Sequence, residues 1–173
     1  MKLVAGIAPE RDVPRFAPRT FRRVMAGHVP RNPGGPPVLL WPDTFTEHFQ
    51  PEVGVAAVDV LEAAGFHVIV PEGPLCCGRP LYDYGMLTLA RCYLRRVLDA
   101  VGPLVEAGIP VVGLEPSCLA VFRDELTNLL PDDLDARRLH AGSYLLSEFL
   151  TRHAPDWPPI RDGRSSPSPG TGR

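Results

Sequence analysis

The chemistry legible in this chain sits in its thiols. Two of its four cysteines, Cys76 and Cys77, are adjacent in the stretch GPLCCGRPLYDYG (residues 73–85), and a third, Cys118, closes the tetrapeptide EPSC. The thiolate is the form of cysteine that attacks electrophiles and binds metals. Neighbouring cysteines close only a strained disulfide ring, which places a vicinal redox dithiol behind metal binding, because each sulfur can still reach a metal. Iron–sulfur clusters are held by several thiolates converging from loops. Gly78 would let the backbone approach such a cluster with no side chain in the way. Cys118 follows EPS at an expected helix start, where the positive end of the helix dipole favours a thiolate. Cys76, Cys77 and Cys118 are therefore the candidate metal ligands, and Gly78 completes the cofactor-binding set. The competing reading is that a free cysteine simply fills space. It is the one adopted for Cys92, inside LARCYLRR on an expected helix.

A scaffold must bring residues 76–78 and 118 together. PVLLW, from residue 37, is a short continuous apolar run of the kind buried on both faces of a parallel sheet. TFTEHFQ follows as a polar loop. PEVGVAAVDVLEAAG then shows helical spacing, with Val53, Ala57, Val60, Leu61 and Ala64 on one face, Pro51 in the first turn and Gly65 as the left-handed stop. FHVIVP is a second strand. YDYGMLTLARCYLRRVLDAVGPLVEAG is a long helical stretch that Gly102-Pro103 should kink or split. IPVVGLEP is a third strand, and SCLAVFRDELTNLL a helix with Ser117 as N-cap. PDDLDARRL and GSYLLSEFLTRH read as two further short helices. Strand and helix thus alternate, giving an α/β fold: a small Rossmann-like parallel sheet flanked by helices, with right-handed crossovers. Ligands in such sheets collect beyond the carboxyl ends of the strands. That rule gathers the loop at residues 42–50, the loop at 72–80 and the turn at 115–118.

The flanks differ in texture. Residues 1–36 carry seven Lys/Arg (Lys2, Arg11, Arg15, Arg19, Arg22, Arg23, Arg31) against Glu10 and Asp12, and end in PRNPGGP. With few interleaved aromatics, they read as a solvated basic arm and linker and not as a nucleic-acid surface. Residues 37–152 form the cysteine-bearing domain. Residues 153–173, rich in Pro, Gly and Ser, read as a disordered tail. Net charge is −2, which argues against a polyanion-binding chain. No apolar run reaches the ~20 residues of a membrane span, and the N-terminal apolar stretch is too short for a secretory signal. A reducing cytoplasm is the expected compartment, and adjacent thiols there point to metal or redox chemistry.

The order LLWPDTF…FQPEVGVAAVDVLEAAGFHVIVPEGPLCCGRPLYDYG…GLEPSC resembles the cysteine-rich CCG domain over residues 37–150. That domain occurs in iron–sulfur oxidoreductase subunits of the lactate-utilisation, glycolate-oxidase and heterodisulfide-reductase types. The likeness is strongest to the C-terminal iron–sulfur half of FAD-linked lactate/glycolate-type oxidases. The resemblance implies an iron–sulfur cluster of the 4Fe–4S type on Cys76, Cys77 and Cys118. It implies electron transfer rather than a self-sufficient enzyme, with FAD only on a flavoprotein partner and with another iron–sulfur domain as a further partner. The charge balance and the run lengths leave no nucleic acid and no transmembrane segment expected, with membrane association through partners. The family's first cysteine falls on Thr44 and the second half of its C-x-x-C on Val121, so three thiolates of a possible five remain. A fourth ligand would come from Thr44, Asp43, Glu115 or His48, or the cluster is incomplete or lost and the domain serves as a docking module. A zinc site using His48 or Asp43 is a third reading. Arg79 would lower the neighbouring thiol pKa, meet an acidic partner or lie on the surface. The short length and unusual ends read as those of a fragment or subunit.

Overall fold

The computed structural model describes residues 8, 10–12 and 14–157. Residues 158–173, most of the expected tail, lie outside them. Four parallel strands form one sheet in the order β2-β1-β3-β4: β1 (Pro37–Trp41), β2 (His67–Ile69), β3 (Val111–Gly113) and β4 (Ser143–Leu145). Val38 pairs with Val68 on one side of β1, and Leu40 with Val112 on the other. Because side chains alternate across a strand, β1 feeds two cores. Leu39 and Trp41 join Val111 and the helices α5 (Leu87–Glu106), α7 (Leu126–Leu129) and α8 (Leu134–Ala141). Val38 and Leu40 join Val112 and the helices α1 (Phe21–Met25), α3 (Pro51–Ala63) and α9 (Leu146–His153). This two-sided burial explains why PVLLW is apolar throughout, and the α/β class expected from the alternation is the one observed.

Several local expectations are corrected. TFTEHFQ is not a loop: Thr44–His48 form the short helix α2, whose first backbone N–H groups the Asp43 carboxylate accepts (Phe45 N at 2.8 Å, Thr46 N at 3.0 Å). Pro103 does not break its helix. It lies in the last turn of α5, where losing one N–H leaves most of the ladder intact. The break falls earlier, after the short α4 (Arg79–Asp83), at Gly85. Ser117 is not the N-cap of α6 (Pro116–Ala120). Glu115 is, accepting from the Ser117 backbone at 3.2 Å and from its hydroxyl at 2.8 Å, while Pro116 occupies the first helical position. The helix beyond it is interrupted by a π-helical turn, Val121–Glu125. Finally, GSYLLSEFLTRH is not all helix: its first residues are the edge strand β4, too short to show alternation.

Part of the segment read as a solvated arm is built into the fold. Phe21 is fully buried between α1 and α3, where an ideal Cβ on Gly54 would come within 2.6 Å of its ring, so a glycine is needed there. The nearby cations are paired within the chain. Arg22 lies 3.1 Å from Glu47 and donates to the Pro71 carbonyl at 3.0 Å. Arg31 pairs with Asp59, and His28 contacts buried Glu62 at 2.7 Å. Two of the segment's seven Lys/Arg, Arg22 and Arg31, are thus held by carboxylates of the domain itself. Among the described residues, no helix is long and apolar enough to cross a membrane.

Candidate thiol site

The three loops that the crevice rule gathers do meet at the carboxyl edge of the sheet. β1 runs into Asp43 and α2, β2 into the Cys76–Gly78 loop, and β3 into α6. Cys77 and Cys118 are both buried, and their sulfurs lie 3.0 Å apart although 41 residues separate them. Cys76 is half-buried and borders a cleft of about 610 Å³ lined also by Thr44, His48, Tyr93, Arg22 and Arg96. Its sulfur accepts from the Gly78 backbone N–H at 3.5 Å and from the Thr44 hydroxyl. Cys92, read as core or semi-exposed filler, is exposed on α5.

Gly78 also has a conformational role. Its φ of +78° lies in the left-handed region, and a Cβ there would make only ordinary contact, 3.5 Å from Tyr93 Cβ. The glycine suits the left-handed turn that starts α4 directly after the two cysteines. Arg79 is engaged within the chain. Its Nη1 donates to Glu125 Oε1 at 2.5 Å and its Nε to Asp83 Oδ2 at 3.1 Å. Glu125 is buried and sits at the end of the π-helical turn, so this ion pair ties the cysteine loop to the helix carrying Cys118. Sequence reasoning missed Glu125, because the one-residue offset of a π turn leaves no mark in the apolar pattern.

The electrostatics are those of thiols crowded together and partly desolvated. The Cys77 thiol is pushed up to about 12, first by its hydrogen bond with Cys118 and then by burial. The Cys76 thiol is also pushed up, chiefly by its hydrogen bond with Cys77, with desolvation adding to the effect. Arg79 does not reverse this. The proposed extra ligands divide. Asp43 and Glu115 are engaged as helix caps, His48 stacks edge-on against Phe16 at the rim of the cleft, and Thr44 stands against Cys76. Val121 is fully buried in the same apolar cluster as Cys77, Cys118 and Trp41. Of the two positions at which the sequence lacks a cysteine, Thr44 stands against Cys76 and Val121 lies in the core that also holds Cys77 and Cys118.

The donor set fits a sulfur-ligated centre in its chemistry: sulfurs from two loops at the strand ends, two already in contact, with protons that a cation would displace. It falls short in number. Among the described residues, no three His, Cys, Asp or Glu side chains are arranged to hold a metal ion.

No family model matches the chain, and no solved structure matches it. Curated relatives do. Lactate utilization protein A of Bacillus velezensis (strain FZB42) is 36% identical over 117 residues, 65% of this chain and 47% of the relative. The proteins of the same name from Bacillus subtilis (strain 168) and Geobacillus kaustophilus (strain HTA426) are each 32% identical over the same shares. The chain spans about half the length of these relatives, and across that half it is similar to proteins named for lactate utilisation.

Proposed function

We propose that this chain is the electron-transferring, iron–sulfur part of an FAD-linked 2-hydroxy-acid oxidoreductase of the lactate/glycolate type, working in the cytoplasm with a flavoprotein partner and a further iron–sulfur domain. Cys76, Cys77 and Cys118 are its cluster ligands. The working unit is residues 37–152, with α1 packed onto it. The observation that carries this reading is the meeting of Cys77 and Cys118 from two loops at the carboxyl edge of the sheet. The similarity to Lactate utilization protein A supports the substrate class.

When bound, the cluster supplies one-electron exchange; hydride chemistry belongs to the partner's flavin. The chain's own residues set the environment. Gly78 makes the left-handed turn from the cysteine pair into α4, and the Arg79–Glu125 pair holds that loop against the π-helical turn. Arg22 and Arg96 line the cleft beside Cys76, placing positive charge next to an anionic thiolate group. Trp41 and Phe122, edge-to-face at 4.9 Å, seal the inner side from water.

The test is anaerobic reconstitution of the full chain with iron and sulfide, followed by iron and sulfide analysis and EPR of the reduced protein. Substoichiometric iron lost together with the EPR signal in Cys77→Ala supports the reading. A chain that stays free of iron, or binds zinc in preference, refutes it.

A second reading is favoured by Thr44 and Val121, which replace two thiols, and by the lack of a three-ligand set among the described residues. In it, the domain keeps the fold and docks to a flavoprotein without a cluster. Iron-free protein that still co-migrates with that partner in gel filtration is its signature.

A further inference from the structure

We propose that Cys77 and Cys118 form a reversible redox pair: in the cluster-free chain a peroxide converts them to a disulfide joining the loop after β2 to the first turn of α6. Their sulfurs lie 3.0 Å apart. A disulfide bond is about 2.05 Å, so closure needs roughly 1 Å of movement. That movement belongs to the loop. Cys77 stands between Gly73 and Gly78, both at positive φ, whereas Cys118 is fixed on α6 behind Pro116.

Competing links are disfavoured by placement. Cys76 and Cys77 are adjacent in sequence and would close a strained ring. The Cys76 sulfur is also turned to Thr44 and the Gly78 N–H on the cleft side. Cys92 is exposed on α5 and can pair only with another molecule.

The chemistry balances with hydrogen peroxide as oxidant. One thiol, as its thiolate, attacks a peroxide oxygen and breaks the O–O bond, giving a sulfenic acid and water. The second sulfur attacks the sulfenic sulfur, the S–S bond forms, and the hydroxyl leaves as a second water. The two thiols lose two electrons and two protons in all, and the peroxide takes up both. Sulfurs joined in this way cannot ligate iron, so the oxidised chain would refuse a cluster until a thiol reduces it. That consequence rests on the cluster reading above; the pairing itself does not.

The experiment uses the full chain, stripped of metal by a chelator, treated with one equivalent of hydrogen peroxide, alkylated, digested without reductant and mapped by mass spectrometry. Alkylatable thiols are expected to fall from the four free cysteines to two, with a linked peptide pair containing residues 77 and 118 that dithiothreitol separates. The link persists in Cys76→Ser and Cys92→Ser and is lost in Cys77→Ser and Cys118→Ser. A link that survives in Cys77→Ser, a dimer through Cys92 as the only product, or overoxidation without any link overturns the proposal. Iron loading separates the two readings. A link that forms in a chain whose reduced state never takes iron leaves the pair standing and removes the cluster. A reduced chain that takes iron, but whose sulfurs never link, does the opposite.

Discussion

Arg79→Ala removes the partner of a buried carboxylate beside the cysteine loop. Glu125 is only 5% exposed, and its Oε1 accepts from Arg79 Nη1 at 2.5 Å while its Oε2 is buried with no hydrogen-bond partner. Breaking a fully buried pair costs roughly 3–5 kcal/mol, whereas an exposed pair contributes about 0–1 kcal/mol. The Arg79 side chain is 34% exposed against 7% for that of Glu125, so the pair lies between these limits. The expected loss is about 2–3 kcal/mol. In urea, with a slope of about 2 kcal/mol/M, that lowers the midpoint by roughly 1 M at unchanged slope. Glu125→Gln keeps shape and a neutral hydrogen bond and should lose only about 1 kcal/mol. The double variant Arg79→Leu/Glu125→Leu leaves no charge to bury and should recover most of the deficit. Peroxide cross-linking of Cys77 to Cys118 should fall in Arg79→Ala, because the loop is released. Equilibrium unfolding of the four chains is the assay. Arg79→Ala within about 0.5 kcal/mol of the parent, or a double variant as unstable as the single, would refute the clasp.

Three further outcomes are expected. Gly113→Ala places a methyl group against Leu119, whose Cγ lies 3.2 Å from an ideal Cβ and which is itself buried beside Cys118, so thermal unfolding should show a loss of about 1–3 kcal/mol. In the reduced, cluster-free chain, the Cys77 thiol is held protonated up to about 12 against an ordinary 9.0. The folded state therefore keeps a proton that the unfolded chain releases in that window. Stability from this group is whole below 9.0 and declines as pH rises toward 12, and urea midpoints at pH 8 and pH 10 should show the fall, reduced in Cys77→Ala. Thr44→Cys adds a sulfur where a hydroxyl already meets Cys76, and Val121→Cys adds one a helical turn beyond Cys118; each should slow iron loss to a chelator after reconstitution.

The sheet was legible because its central strand is apolar on both faces, and because Pro51, Gly65 and the spacing of α3 mark a helix between two strands. The meeting of Cys77 and Cys118 follows from the same alternation, since successive parallel strands deliver their following loops to one edge. Features without periodicity were not legible. β4 is three residues long and is read as a strand only through its pairing with Val111–Gly113. The π-helical turn ends at Glu125, whose partner Arg79 lies 46 residues away in the chain. α1 was hidden because its arginines suggested solvent, and only the fold brings Glu47 to face Arg22, as it brings Asp59 and Glu62 to Arg31 beyond the helix. That Cys76 borders the cleft while Cys77 is buried against Cys118 also needed three dimensions.

Iron content after anaerobic reconstitution, compared between Cys118→Ser and Cys92→Ser, tests the central claim most directly. The two changes are chemically identical, but one removes a buried sulfur in contact with Cys77 and the other an exposed sulfur on α5. A chain that holds sulfide-bridged iron in Cys92→Ser and loses it in Cys118→Ser is the expected result. Equal iron in both, or none in either, would contradict a cluster at these thiols.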